Sequence, residues 1–282
     1  MYDRRTKNVM IFQDTERMYR TNETLKAAVL DSIRNQKMIP ADAVVEYEMI
    51  GGRAGNVAVS GKRTLEASEK YAKQGKKVCV LNFASATNPG GGVTHGSSAQ
   101  EEAICRCSTL YPCLNIREMW DKFYSPHRAA DNPLYNDDCI FTPGVKVFKN
   151  DTSFPELLPE SDWWDVDVIT CAAPNLRHVP SNWMNPHSGS KKADISYEGL
   201  RELHTSRIKR IFEVAIANGA EVLILGAFGC GAFCNPPELV AEMFGVFTEM
   251  YRECFDTVEY AVYHTERETG NYEAFKNVIT CV

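Results

Sequence analysis

The 282-residue sequence lacks the features that mark several large classes of protein. No apolar run reaches the length of about 18 residues that a membrane-spanning helix needs. The N-terminal segment MYDRRTKNVMIFQDTERMYR carries charges where a signal peptide has its apolar stretch. Basic residues are fewer than acidic residues, which gives a net charge of −6, whereas duplex-DNA binders have a basic face. These absences predict an intracellular protein with no membrane partner, located in the cytoplasm or, in a eukaryotic cell, also in the nucleus.

The ten cysteines do not follow the spacing of a zinc site. Cys79, Cys139 and Cys171 lie inside apolar runs instead. In reducing compartments cysteine behaves as a small core residue. We therefore expect free thiols and no bound metal.

Apolar runs of strand length alternate with helical patterns, which is typical of an α/β protein with helices on both faces of a mostly parallel sheet. The predicted strands are residues 43–50, 77–84, 165–173, 221–228 and 258–264, with a further short one at 139–148. The predicted helices include residues 62–75, 195–220 and 236–255, and residues 1–40 form a helical N-terminal extension. Residues 177–194 are polar and predict a long surface loop. No linker is evident, so residues 1–282 are interpreted as a single domain.

Two glycine-rich segments follow predicted strands, NPGGG at 88–92 and GAFGCGAF at 226–233. Ligands of open α/β sheets bind at the carboxyl ends of strands, so both segments should lie on one rim. Gly226, Gly229 and Gly231 would let main-chain N–H groups approach an anion, with Asn235 as the N-cap of the next helix. Their spacing fits neither the Rossmann fingerprint nor a P-loop. The interpretation is a pyrophosphate site; the alternative is that the glycines only shape tight turns.

Glu101 and Glu102 open the next predicted helix. Ser98 as N-cap would form a capping box with Glu101, which leaves Glu102 without a structural role. Adjacent carboxylates at a helix N-terminus can titrate differently. Cleavage of a glycosidic bond needs an acid for the leaving oxygen and a base for water, and one flexible Glu can serve both steps in turn. Neighbouring residues on one helix cannot straddle a sugar, so Glu101 is better suited to binding hydroxyl groups.

The stretch NPGGGVTHGSSAQEE resembles the signature of poly(ADP-ribose) glycohydrolases, three glycines and a short spacer before Gln-Glu-Glu. With VLNFASAT, TCAAPN and GAFGCGAFCNPPELVAEMF, the chain is similar to the microbial-type members, which are macrodomains with a helical N-terminal extension. The resemblance implies that Glu102 is the catalytic acid and base and that Glu101 binds ribose hydroxyls. The substrate-binding residues that it implies are Asn82, Asn88, Gly90, Gly91, Gly92, Gln100, Gly226, Gly229, Cys230, Gly231, Ala232 and Phe233.

The implied activity is hydrolysis of the ribose–ribose O-glycosidic bond of poly(ADP-ribose) or of ADP-ribosylated targets, releasing ADP-ribose without a metal or cofactor. The partners would be ADP-ribose or its polymer, on a modified protein or nucleic acid, and the protein would be a monomer. The alternatives are a non-catalytic macrodomain that binds ADP-ribose, a hydrolase acting only on mono-ADP-ribosylated protein or nucleic acid, and a nucleotide-sugar or nucleoside hydrolase. Glu46 and Glu48 are the candidates for reading adenine, and His95 is expected to be an exposed loop residue.

Overall fold

The computed structural model describes residues 3–49 and 51–279. Its strands are β1 (Lys37–Ile39), β2 (Asn56–Ser60), β3 (Val78–Phe83), β4 (Cys139–Val147), β5 (Trp164–Cys171), β6 (Val222–Leu225) and β7 (Thr257–Ala261). Its α-helices are α1 (Arg4–Thr21), α2 (Glu23–Asn35), α3 (Thr64–Ala72), α4 (Gln100–Cys107), α5 (Leu110–Leu114), α6 (Arg117–Met119), α7 (Ser125–Ala130), α8 (Tyr197–Ala217), α9 (Pro237–Tyr251) and α10 (Gly270–Ile279). Short 3-10 turns occur at Val93–His95, Glu160–Asp162 and Arg252–Cys254, and a π-helical segment at Trp120–Tyr124.

The strands form one sheet in the order β1-β4-β5-β3-β6-β7-β2. The pairs β1–β4 and β4–β5 are antiparallel, and all the others are parallel. The mixed, mostly parallel sheet is therefore confirmed. Because β3 pairs in parallel with β6, the segments that leave these two strands emerge side by side at the same edge of the sheet. The prediction that both glycine segments share a rim is also confirmed.

The sheet carries helices on both faces, as predicted, and β3 shows how the sequence achieves this. Successive strand residues point to opposite faces, and Val80 packs in one buried cluster while Leu81 packs in the other. The cluster around Val80 receives side chains from α1, α3, α4 and α5. The cluster around Leu81 receives side chains from α8, α9 and α10. Both faces of the central strand are therefore apolar, and its end is rigidly placed.

The predicted helical N-terminal extension consists of α1 and α2, and it also adds a strand to the sheet. Strand β1 pairs with β4 through Lys37 opposite Phe141. On α1, the Asn8 side chain donates a hydrogen bond of 3.0 Å to the carbonyl oxygen of Gly96. The extension is thus fixed against the segment that joins β3 to α4.

The prediction of a strand at residues 43–50 is wrong for residues 43–49, because these residues are irregular in the structure. Residue 50 lies outside the described residues. The alternating pattern has another cause: Val45 and Tyr47 pack on the core from outside the sheet. The Arg210 guanidinium donates to the carbonyl oxygens of Ala41 and Ala43, so a side chain binds this backbone in place of a neighbouring strand. The edge strand beside β7 is β2, which was not among the predicted strands.

The remaining predicted strands and helices are present, and β4 covers nine of the ten residues predicted at 139–148. In the part of the chain that the structure describes, no helix is long and apolar enough to cross a membrane. The described cysteines are free, and Cys79, Cys139 and Cys171 are buried in the core as predicted. No group of three or more metal-binding side chains is found within residues 3–49 and 51–279.

Candidate active site

Three segments at the carboxyl edge of the sheet surround a cleft. The first loop (residues 84–99) joins β3 to α4, the second loop (residues 226–236) joins β6 to α9, and the third loop (residues 172–196) joins β5 to α8. Since β3 lies between β5 and β6 in the sheet, the first loop lies between the other two.

Gly91 in the first loop brings its backbone directly against the two glutamates. Its φ of 57° is in the left-handed region that glycine adopts without strain. A Cβ atom at Gly91 would lie 2.6 Å from Oε1 of Glu102 and 3.0 Å from Oε2 of Glu101. The acid pair can occupy its place only because residue 91 has no side chain.

Glu102 is buried, with 7% of its surface exposed. Its Oε1 accepts a hydrogen bond of 2.9 Å from the Gly92 N–H, while its Oε2 is buried without a hydrogen-bond partner. Burial raises the pKa of the Glu102 carboxyl, and the Gly92 N–H and the positive charge of Arg106 oppose that rise. One oxygen is therefore fixed by the loop, and the other is available for proton transfer.

Glu101 is held by different groups. Its Oε2 accepts a 2.8 Å hydrogen bond from the Ser85 N–H, and its Oε1 accepts a longer one, 3.4 Å, from Nδ2 of Asn82. Burial and then repulsion by Glu102 raise the pKa of Glu101 well above its usual value, and the Ser85 N–H opposes this. Two adjacent buried carboxyls resist ionising together, so the pair retains a proton more readily than either would in water.

The predicted capping box is wrong. The N-cap of α4 is Ala99, without a side-chain hydrogen bond, and the Glu101 carboxylate reaches the first loop instead of Ser98. The N–H of Ser85 is brought close by the fold and outcompetes the local bond. Glu101 and Glu102 are consequently both directed into the cleft.

Gln100 fastens α4 to the end of β3. Its Oε1 accepts a hydrogen bond of 2.9 Å from the Phe83 N–H. Its Nε2 donates hydrogen bonds to the Leu81 carbonyl oxygen (2.7 Å) and to Oγ1 of Thr64 (2.9 Å). The amide is thus bound within the protein, although the side chain also lines the cleft. Its predicted contact with substrate stays a prediction, and its visible role is to position the two glutamates.

Asn82 and Asn88 lie at either end of the strand-to-loop turn. Asn82 is fully buried and donates a hydrogen bond of 3.2 Å to Oγ1 of Thr170, in addition to its hydrogen bond with Glu101. Asn88 donates a hydrogen bond of 2.8 Å to the carbonyl oxygen of Pro186 and accepts one from the Arg128 guanidinium. In this structure Asn88 holds the third loop against the first, and the predicted ribose contacts of both residues stay predictions.

The third loop is part of the site and not only a surface segment. Ser188 is fully buried, and Asn185 accepts a 2.8 Å hydrogen bond from the Ser85 hydroxyl. Arg177, Met184 and Asn185 line the cleft beside the glutamates. These residues could not be assigned to the site from the sequence, because an irregular polar segment has no periodicity and its partners lie about a hundred residues away in the chain.

The second loop is built around Gly226 and Gly229. A Cβ at Gly226 would lie 2.7 Å from the Ala261 carbonyl, and one at Gly229, where φ is 74°, would overlap Ala173 and Asn235. Asn235 is not the N-cap of α9, which is Pro236. Its side chain instead donates to the carbonyls of Pro174 and Gly229, at 2.8 and 3.1 Å, because the buried loop needs these acceptors satisfied.

The remaining predicted residues of the second loop lie nearer the opening. A Cβ at Gly231 would meet no atom within 4 Å, and Gly231 lines the cleft. Ala232 and Phe233 line both pockets of the cleft, which are described below, and Cys230 is partly buried. Of the predicted first-loop glycines, Gly92 faces Ser97 and Met184, whereas Gly90 faces Tyr111, Val93 and Cys105. His95 is exposed, as predicted, and lies against Trp183.

The cleft has two pockets that adjoin along a common wall of Phe83, Ser98, Ala99, Ala232 and Phe233. The acid pocket has a volume of about 380 Å³ and contains Glu101, Glu102, Gly91 and Gly92. The side pocket, about 260 Å³, contains Arg63, Asp151, Gly231, Tyr263 and Asn271. Glu46 and Glu48, the candidates for reading adenine, line neither pocket.

Arg106, one turn along α4, provides a test of the electrostatics of Glu102. Its buried guanidinium lowers the pKa of Glu102 and donates to the Ser97 carbonyl. Removing the charge in Arg106→Gln disfavours the ionised carboxylate, so the pKa of Glu102 should rise. Carboxyl-carbon NMR titration of glutamate-labelled protein measures this shift. Arg106→Lys, which keeps the charge, should shift it less, and an unchanged or lower pKa in Arg106→Gln would contradict the assignment.

Comparison with known proteins gives a consistent result. The family model for the microbial-type PARG catalytic domain matches residues 7–150, which include the first loop and the acid pair. The poly(ADP-ribose) glycohydrolase of Thermomonospora curvata bound to the inhibitor ADP-HPD is 30% identical, with a TM-score of 0.81 over 97% of this chain and 99% of that one. The poly(ADP-ribose) glycohydrolase of Deinococcus radiodurans in complex with ADP-ribose is 27% identical, with a TM-score of 0.76 over 90% of this chain and 97% of that one. A search of curated proteins gives no significant match.

Proposed function

The chain belongs to the microbial-type poly(ADP-ribose) glycohydrolase family and is a glycosidase that hydrolyses poly(ADP-ribose), and we propose that Glu102 is the acid and base of this reaction. The observation that carries the proposal is the Oε2 of Glu102, which is buried in the acid pocket without a partner while Oε1 is held by the Gly92 N–H. Burial raises the pKa of this carboxyl, which favours the protonated form that a general acid needs.

The structure of the Deinococcus relative contains ADP-ribose, and the shape of the cleft supports a similar placement here. The terminal ribose would lie in the acid pocket, and the diphosphate along the common wall, to which the second loop contributes Ala232 and Phe233. The adenosine would then enter the side pocket. There the Arg63 guanidinium stacks 4.0 Å from the centre of the Tyr263 ring, which gives a flat surface for a base.

Asp151 is our candidate for reading adenine, in place of Glu46 and Glu48. It lines the side pocket, and its Oδ2 accepts from the Leu65 N–H at 3.1 Å while its buried Oδ1 has no partner. Burial raises the pKa of Asp151 to about 6, so it is mostly ionised at neutral pH and can accept a hydrogen bond from an exocyclic amino group.

The reaction would proceed in two steps. Protonated Glu102 donates its proton to the 2′ oxygen of the leaving ribose as the bond from that oxygen to C1″ breaks, leaving an oxocarbenium-like ribose. The Glu102 carboxylate then takes a proton from water, whose oxygen bonds to C1″ and completes ADP-ribose. Glu101 would accept hydrogen bonds from the ribose hydroxyls and so orient C1″ toward Glu102.

A non-catalytic ADP-ribose reader explains less of the site. Such a protein needs the two glycine loops but gains nothing from two adjacent buried carboxyls, which are costly to bury. The experiment is to incubate the protein with poly(ADP-ribose), mono-ADP-ribosylated protein and ADP-ribosylated DNA, and to measure free ADP-ribose by chromatography. ADP-ribose should be released from the polymer. Binding without release from any of the three substrates would favour the reader.

Gly231 tests whether the second loop touches the ligand. Its position is sterically open, so Gly231→Val should fold normally but should lower ADP-ribose affinity about tenfold or more, because the side chain occupies the space of the diphosphate. Gly270→Val is the matched control, since Gly270 is equally open and does not line the cleft. Calorimetric titration and the ADP-ribose-induced rise in melting temperature measure the effect. Equal affinities in the two variants would leave Gly231 with a structural role only.

A further inference from the structure

Three arginines line the acid pocket, and none of them lines the side pocket. Arg4 and Arg5 are exposed residues of α1, and Arg177 is a half-buried residue of the third loop. Within the described parts of the chain none of the three forms an ion pair with a carboxylate. Among the described residues, the acid pocket therefore has three guanidinium groups with no carboxylate within ion-pair distance.

Arg5 and the helix that carries it are held in place. The Arg5 guanidinium lies 4.9 Å from the centre of the Trp183 ring and donates to the sulfur of Met184 at 3.5 Å. Asn8, on the same helix, is bonded to Gly96 of the first loop. The N-terminal extension thus presents its arginines to the pocket from a fixed position.

We propose that Arg4, Arg5 and Arg177 bind the phosphate groups of the leaving ADP-ribose unit, so that the enzyme favours polymer over ADP-ribose attached to an uncharged group. The inference rests on the proposed function, which places the retained diphosphate at the common wall and the scissile bond at Glu102. In the polymer the leaving 2′ oxygen belongs to a ribose whose 5′ carbon carries a diphosphate. An anion therefore always lies one sugar ring beyond the scissile bond, and the three arginines line the pocket that contains Glu102. The guanidinium fork matches phosphate oxygens in pairs.

The test uses the double variant Arg4→Gln/Arg177→Gln, which leaves Arg5 and its contacts with the third loop intact. Two substrates are compared: poly(ADP-ribose), and ADP-ribose joined through C1″ to 4-nitrophenol, a leaving group without phosphate. We expect kcat/KM for polymer to fall about tenfold or more, as the loss of charge-assisted hydrogen bonds would produce. The value for the nitrophenyl substrate and the affinity for ADP-ribose should change little. The polymer reaction should also lose part of its sensitivity to salt.

The matched control is Arg17→Gln/Arg34→Gln, which removes the same charge from exposed positions on α1 and α2 outside the cleft. It should leave the ratio of the two kcat/KM values unchanged, and Arg4→Lys/Arg177→Lys should preserve much of the preference for polymer. If the arginines had only a structural role, kcat/KM would fall for both substrates together.

Several results would overturn the inference. One is an unchanged ratio in Arg4→Gln/Arg177→Gln, and another is an equal loss of ADP-ribose affinity, which would place the arginines on the retained product. A selective loss of activity on an ADP-ribosylated oligonucleotide, with polymer unaffected, would assign the site to nucleic acid. If the wild type releases ADP-ribose from neither substrate, the proposed function itself fails; a normal wild type with an unchanged double variant refutes only the leaving-group site.

Discussion

Glu102→Gln should lower the rate of ADP-ribose release from poly(ADP-ribose) by at least about 10²–10⁴-fold, the usual contribution of general acid–base catalysis. The amide keeps the shape of the side chain, and its oxygen can still accept the 2.9 Å hydrogen bond from the Gly92 N–H. It cannot deliver a proton to the leaving oxygen or remove one from water. ADP-ribose affinity should change little, because the phosphates and the base are bound elsewhere in the cleft. The measurement is product release and calorimetric binding on the same samples.

Glu101→Gln is the comparison that separates the two acids. Its amide nitrogen would face the donors that Glu101 now accepts from, Ser85 N–H and Asn82, or would have to turn toward the ribose. We expect slower turnover through poorer orientation of the sugar, with residual activity above that of Glu102→Gln. Near wild-type turnover by Glu102→Gln, or a larger loss in Glu101→Gln than in Glu102→Gln, would reverse or reject the assignment.

The sequence predicted the parts of the site that are close together in the chain. The glycines at 90–92 and the acids at 101 and 102 are separated by a short spacer, and the run VLNF directly before them is typical of a buried strand. Strand β3 has both faces apolar, so its position at the centre of the sheet could be expected. With the strand placed, the first loop and the acid pair follow at its carboxyl end.

The parts that were missed depend on contacts made only in the folded chain. The capping box of Ser98 and Glu101 was a reasonable local pattern, but the Ser85 N–H, brought in by the turn after β3, binds Glu101 instead. Asn88 bonds to Asn185, 97 residues away, so the third loop could not be assigned to the site from its own sequence. The alternation at residues 43–49 was real, but it reflects packing of Val45 and Tyr47 on the core and not strand pairing.

Gly91→Ala should reduce turnover by about 10²-fold or more, although it changes neither acid. The added Cβ would lie 2.6 Å from Oε1 of Glu102 and 3.0 Å from Oε2 of Glu101, so both carboxyls must move. A displacement of catalytic groups by about 1 Å can cost about 10²-fold in rate. The left-handed φ of 57° adds a strain of about 1–2 kcal/mol, which should appear as a lower melting temperature.

Gly75→Ala separates strain from displacement. Gly75 also has a left-handed φ, 78°, but a Cβ there would meet no atom within 4 Å, and the residue lies at the end of α3 away from the cleft. The Gly75→Ala variant should be destabilised to a similar degree, yet it should hydrolyse poly(ADP-ribose) at the wild-type rate below its melting temperature. Rates are compared at a temperature at which circular dichroism shows both variants folded. If folded Gly91→Ala is as active as Gly75→Ala, the carboxyls do not require the space that Gly91 leaves, and the first loop does not fix the geometry of the acid pair.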